Sequence, residues 1–340
     1  PDGGDRVLLP PEDGQHAFKL SKDGKYVVDT YSTTAVPPVT VLRDAQDGKV
    51  LAEVAKADIT RLTAAGWVAP EPIVVKARDG RTDLYGMLFK PSNFDPSKKY
   101  PIVNYIYPGP QVGSVRTYGF APSHGDNQAL AELGFVVVAI DGMGTPYRSK
   151  AFHDAYAKNI GDNTLPDQVT GMQQLAKRYP WIDLARVGIW GHSGGGNATG
   201  TAMFRYPEFF KVGIAESGNH ENRNYEDDWA EKWQGLLTTS KDGKTNYDDQ
   251  ANQSHAPKLK GKLLLMHGMM DDNVPPQNTL LVVDALIKAN KDFDLLLLPN
   301  ARHGYGEYSP YVMRKRWDYF VENLLGAEHP VEYAVKPAAR

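Results

Sequence analysis

Cysteine is absent from this chain, which excludes a disulfide framework, a thiol nucleophile and a thiolate metal site. Excess basic charge is absent too. The formal net charge is -3, whereas nucleic-acid binders carry a strong basic footprint, so no nucleic-acid partner is expected. No apolar run approaches the roughly 18 residues that a membrane-spanning helix needs. Neither a P-loop nor a dinucleotide fingerprint occurs. The acidic pairs Asp227-Asp228 and Asp248-Asp249 lack convergent partners at ligand spacing, so they read as solvated surface, and no metal or cofactor is expected. An initiator methionine and a signal-like apolar stretch are also missing. The chain begins at Pro1 and reads as a processed form or a fragment.

What is present suits a large globular fold. Hydrophobic residues make up 41% and charged residues 23% of 340 positions, enough for a full core in one large or two smaller domains. Residues 1–70 read as strands and turns. Asp23-Gly24 and Asp47-Gly48 each stand beside β-rich segments, and Asp-Gly in that setting predicts hairpins. After "WVAPEP" (67–72) the texture changes. Apolar, β-rich runs alternate with segments of helical period, which predicts βαβ units and a mostly parallel sheet over residues 71–340. Strands are expected at 84–90, 101–107, 135–140, 186–190, 211–217, 262–267 and 293–299. Helices are expected near 124–133, 165–178, 194–206, 276–289 and 309–325. The fold class is therefore α/β, preceded by a small β segment.

One motif interrupts a strand-to-helix passage. "RVGIW" (186–190) runs into Gly191-His192-Ser193-Gly194-Gly195 and then into a helical pattern. That context fits the G-x-S-x-G nucleophile elbow of α/β-hydrolases, where a serine occupies a strained turn with its hydroxyl exposed. A serine hydroxyl needs a base, and the order in that fold is serine, acid, histidine. Two later strands end in suitable loops. "KLLLMHGMMDDNVPP" presents His267, Asp271 and Asp272, and "FDLLLLPNARHGYGEY" presents His303. The assignment is Ser193 as nucleophile, His303 as base and Asp271 as the orienting acid, with Asp272 its rival by position. His267 closes its strand and reads as structural. Adjacent side chains diverge in a tight turn, so His192 reads as a site-lining residue, not the base. His124, His153, His220 and His255 read as surface histidines. The backbone N–H of Gly194 is the expected oxyanion donor. Pro108 and Pro110 have no N–H to give, and Tyr107 is either a hydroxyl donor to the oxyanion or a plain strand-end aromatic.

Taken together these stretches resemble the C-terminal catalytic half of the prolyl oligopeptidase family of serine peptidases, in its dipeptidyl peptidase IV-like branch. "SKKYPIVNYIYPGPQ", "DQVTGMQQLAKRYPWIDLARVGIWGHSGGG", "HGMMDDNVPPQNT" and "NARHG" match in order, and the similarity covers about residues 20 to 326. The resemblance gives Tyr107 the oxyanion role and favours Asp271 over Asp272. It also implies that Tyr225 and Trp229 form aromatic walls for a flat P1 side chain, that Asn273 binds a substrate carbonyl, and that Val274 is a pocket wall. By the same resemblance residues 1–70 are the end of a β-propeller, most of which is missing from this chain. A homodimer through C-terminal helices and a periplasmic or secreted location are further implications. The expected activity is a serine exopeptidase releasing N-terminal dipeptides, X-Pro or X-Ala, from peptide substrates through an acyl-enzyme. The same residues would serve an acylaminoacyl peptidase or esterase, and an inert binding module is the alternative of another class. Two departures stand out: His192 where that branch commonly has tryptophan, and Gly194 where it commonly has tyrosine.

Overall fold

The computed structural model of the chain describes residues 12–335. The chain forms two compact units. One runs to Pro72 and also takes in Arg116–Gly125; the other comprises Ile73–Val115 and the chain from Asp126 onward.

The first unit is an antiparallel meander of β1 (Gln15–Leu20), β2 (Tyr26–Ser32), β3 (Val39–Asp44) and β4 (Val50–Lys56), followed by the short helix α1 (Thr60–Ala64). The two Asp-Gly turns are made as the sequence predicts. Gly24 and Gly48 take φ of 71° and 74°, a region glycine enters without steric cost. Asp23 and Asp47 accept the backbone N–H two residues on, at 3.2 and 2.9 Å, closing each turn from the side. On β3 every second residue is buried, namely Val39, Val41 and Arg43. Arg43 is paired there with the buried Asp29 at 2.9 Å. The Arg116–Gly125 segment is held in this unit by Trp67, whose ring meets Phe120 edge-on at 5.4 Å. Its indole N–H donates to the Pro122 carbonyl at 2.9 Å.

The second unit is built on an eight-stranded sheet. Its elements run β5 (Glu71–Lys76), β6 (Asp83–Phe89), β7 (Tyr100–Tyr105), α2 (Asn127–Glu132), β8 (Val136–Ile140), α3 (Lys150–His153), α4 (Leu165–Arg178) and β9 (Ile182–His192). They continue through α5 (Gly194–Arg205), β10 (Val212–Glu216), α6 (Asp227–Gln234), β11 (Lys262–Gly268), α7 (Gln277–Lys288), β12 (Asp294–Leu298) and α8 (Ser309–Phe320). The spatial order is β12-β11-β10-β9-β7-β8-β6-β5. Strands β7 to β12 pair in parallel, and β6 pairs antiparallel with β8. Strands β8 and β10 are buried at every position, as strands covered on both faces must be.

Two strands lie differently from their composition. Strand β12, four leucines in a row, is an edge strand with Asp294 and Leu295 exposed. An apolar run alone does not tell an edge from a centre. Strand β5 was not expected, because Pro72 and exposed alternate residues hide it; it forms the other edge. The last predicted helix stops at Phe320 and continues as a π-turn over Val321–Leu325. No helix among the described residues is long and apolar enough to cross a membrane.

Candidate active site

Four loops at the C-terminal ends of parallel strands carry the residues that the sequence singles out. Tyr107 follows β7, Ser193 follows β9, Asp271 follows β11 and His303 follows β12. Open α/β sheets build their sites at these ends. Strand β10, between β9 and β11, contributes Glu216 at its end, with Ser217 directly after it.

Ser193 sits at the first turn of α5 with φ 60° and ψ -121°, a conformation that costs a non-glycine residue about 1–3 kcal/mol. The surroundings over-determine it. The Ser193 N–H donates to the Glu216 carbonyl at 2.7 Å, and the Ser193 carbonyl accepts from Asn197 N–H at 3.0 Å. A Cβ on Gly191 or Gly195 would run into the Ile106 carbonyl oxygen, so both positions need glycine for backbone approach. Gly194 is different: the nearest atoms to a Cβ there would be those of the Tyr107 side chain, at an ordinary 3.7 to 3.9 Å.

The acid loop is wound around Asp271. Its Oδ1 accepts the N–H groups of Asn273 and Val274 at 3.0 and 2.9 Å, and its Oδ2 accepts from His303 Nδ1 at 2.7 Å. His267 lies on the same oxygen at 3.3 Å. Burial alone would raise this carboxyl, but the bonds from His267, His303 and Val274 hold it well below the ordinary aspartate range. His267 is itself fixed. Its Nε2 lies 3.0 Å from the Val274 carbonyl, which can only accept, so Nε2 carries the proton and Nδ1 accepts the Thr279 hydroxyl at 2.7 Å. With His303 Nδ1–H spent on Asp271, His303 Nε2 keeps a lone pair available for a proton. Asp272 turns outward and pairs with Arg302.

A concave pocket opens beside the serine. It is lined by Ser193, Gly194, Tyr107, Tyr225 and Trp229, together with Tyr156, Asn163, Asn197 and Asn219. Tyr225 and Trp229 meet edge to face at 5.5 Å, and the Tyr225 hydroxyl donates to Asn273 Oδ1 at 3.1 Å. Partial burial beside Glu226 pushes that phenol up to about 12. Val274 is fully buried, and neither it nor His192 lines the pocket. His192 instead packs against His303, with ring centroids 4.7 Å apart.

The amide-rich lining escaped sequence reading, because Asn163, Asn197 and Asn219 come from three separate elements and share no motif. Two histidines expected at the surface are buried, His220 and His255. His220 is kept neutral: burial pushes it down to about 3, and its Nδ1 accepts from Asn252 at 2.8 Å. Among the described residues, no group of three or more His, Cys, Asp or Glu side chains is arranged to hold a metal.

A mostly parallel sheet with a strained serine after one strand, and a carboxylate–imidazole pair after two others, defines an α/β-hydrolase. The profile of the prolyl oligopeptidase family matches residues 123–327, and the chain belongs to that family of serine peptidases. It is 36% identical over 248 residues to human dipeptidyl peptidase 8, covering 72% of this chain and 28% of that protein. A solved Bacteroides ovatus structure, provisionally described as a dipeptidyl aminopeptidase IV, superposes with a TM-score of 0.85 at 34% identity. That match covers 92% of this chain and 44% of the other. Dipeptidyl peptidase 4 of Porphyromonas gingivalis gives a TM-score of 0.82 at 29% identity, over 94% and 45% of the two chains. The chain thus spans less than half the length of each of these relatives.

Proposed function

We propose that this chain is the catalytic part of a serine exopeptidase that releases N-terminal dipeptides, with X-Pro or X-Ala preferred. The observation that carries the reading is the 2.7 Å bond between His303 Nδ1 and Asp271 Oδ2, in a unit whose strained elbow presents Ser193. Ser193 Oγ attacks the scissile carbonyl while His303 Nε2 takes its proton. His303 then gives that proton to the leaving amine, and water releases the dipeptide from the acyl-enzyme by the same route reversed. Asp271 holds the imidazole in the tautomer that the reaction needs. The Gly194 N–H and the Tyr107 hydroxyl stabilise the oxyanion, each such donor being worth about 3 kcal/mol in the transition state. Tyr225 and Trp229 support the P1 preference, since crossed aromatic faces suit a flat apolar ring such as proline. Asn273 steadies Tyr225 and is offered to a substrate carbonyl. The relatives extend well beyond this chain, and a β-propeller from that extra length would restrict entry to short peptides.

The test is hydrolysis of X-Pro, acetyl-Ala and short acyl-ester chromogenic substrates by the intact protein, alongside labelling with a fluorophosphonate. X-Pro turnover with labelling at Ser193, both lost in Ser193→Ala, is the expected result. Turnover of esters alone would remove the peptidase assignment, and folded protein that resists labelling would make the chain an inert binding module.

A further inference from the structure

His192 is the residue of the elbow that the proposed chemistry leaves without a task, and its surroundings are unusually specific. Its ring lies 4.7 Å from that of His303, tilted by 55°, and meets Tyr305 edge-on at 5.2 Å. Its Nδ1 faces Glu216 Oε2 at 3.6 Å, ion-pair rather than hydrogen-bond distance. Glu216 is buried at the end of β10 and pairs with the buried Arg316 of α8 at 2.7 Å. Arg316 reaches on to Asp126, which also accepts from Trp317 Nε1 at 2.9 Å. This inner network holds two carboxylates and one guanidinium. His192 is half-exposed and is the group placed to supply a second cation.

The charged and titratable contacts of the two imidazoles fall on opposite sides. His303 has Asp271 on one side, itself shared with His267, and His192 on the other. His192 has Glu216, Tyr305 and His303, with Arg316 and Asp126 behind Glu216. Each imidazole owns a carboxylate, and the rings touch. Two cationic rings in contact repel, so a proton on one raises the cost of a proton on the other.

We propose that His192 is a positioning residue for His303, whose ring contact and Glu216 partner couple the protonation of the base to the Glu216–Arg316–Asp126 network. The inference rests on His303 serving as the base. In this arrangement a proton taken by His192 at acid pH opposes protonation of His303 and keeps it neutral to lower pH. Removing the His192 ring removes that opposing charge from beside His303, which favours the charged form of His303. Activity should then fail at higher pH.

The experiment follows the histidine ring signals by NMR in the intact protein with labelled histidine, from neutral to acid pH. In parallel it records the pH profile of kcat/KM on an X-Pro chromogenic substrate. In the unaltered protein the His303 ring signals should move in two steps, one of them shared with His192. In His192→Asn, His303 should titrate in a single step at higher pH, and the acid limb of kcat/KM should move with it while KM stays within twofold, by about the margin of uniform binding. Glu216→Gln should move the His192 step to lower pH. A single-step His303 titration in the unaltered protein overturns the proposal, whatever the variants do. So does an acid limb that His192→Asn leaves in place. Coupled titration with no turnover and no labelling would instead sink His303 as a catalytic base while the coupling stands.

Discussion

Two imidazole–carboxylate pairs meet in this site, and they are built unequally. Asp271 and His303 are 2.7 Å apart, and the carboxylate is locked by two backbone N–H groups and by His267. Glu216 and His192 are 3.6 Å apart, and the carboxylate is locked from the other side by an arginine. The first pair spends its acid on orienting an imidazole; the second spends its acid on a buried cation and leaves the imidazole loosely held. A short bond to a fully satisfied carboxylate fixes a tautomer. An ion-pair contact at longer range tunes charge without fixing geometry. The sharpest way to break the comparison is to give both pairs an amide. Asp271→Asn should lower kcat by about 10⁴, because the amide offers a donor where His303 needs an acceptor and so selects the wrong tautomer. Glu216→Gln should cost far less, since His192 holds no proton that the reaction requires. Equal losses on a chromogenic substrate would mean that the two carboxylates do the same work.

The second pair should matter more for stability than for rate. Arg316 is buried between Glu216 and Asp126, with its guanidinium 3.8 Å over the Trp190 ring. Burial raises the Asp126 carboxyl, whereas for Glu216 the burial effect is outweighed by Arg316 and His192, which hold it low. Arg316→Met would strand two carboxylates, and breaking a buried pair in this way costs about 3–5 kcal/mol. A carboxyl held low in the folded state stabilises it above the usual glutamate range, near pH 4.3 as a rough reference, and that contribution fades as acid protonates it. The urea midpoint of Arg316→Met should therefore fall most at neutral pH and approach the parent value in acid. A loss that grows in acid would show that Glu216 is not ionised in the native protein.

Much of this was legible in the sequence because local chemistry and strand order agree. The elbow glycines, the two Asp-Gly turns and the near-continuous apolar runs of β8 and β11 each state a local rule that the fold obeys. The loop positions of Ser193, Asp271 and His303 were legible because each loop follows a strand of the sheet. The inner network could not, since Glu216, Arg316 and Asp126 lie 90 to 190 positions apart in the chain and meet only after β10 and α8 pack. For the same reason the buried state of His220 was hidden: nothing near it in sequence announces Asn252. No composition shift marks the excursion of Arg116–Gly125 into the first unit, so it has no signal in the sequence.

The smallest effect tests the finest distinction, between two adjacent aspartates. Position alone leaves Asp271 and Asp272 as rivals, and in the structure the turn separates them. The N–H groups of Asn273 and Val274 close on Asp271 Oδ1, which pins that carboxylate inward, and the next side chain along such a turn must diverge. Asp272 accordingly lies exposed against Arg302, also exposed. Exposed pairs of this kind contribute about 0–1 kcal/mol, because solvent screens them and two long side chains must be ordered to hold them. Asp272→Asn should leave kcat/KM within about twofold and stability within about 0.5 kcal/mol, the range of surface substitutions. It keeps the side-chain shape and removes only the charge, so a large loss could not be laid to a repacked loop. A hundredfold fall in kcat would mean that Asp272 reaches His303 during the reaction, and the acid would have to be reassigned.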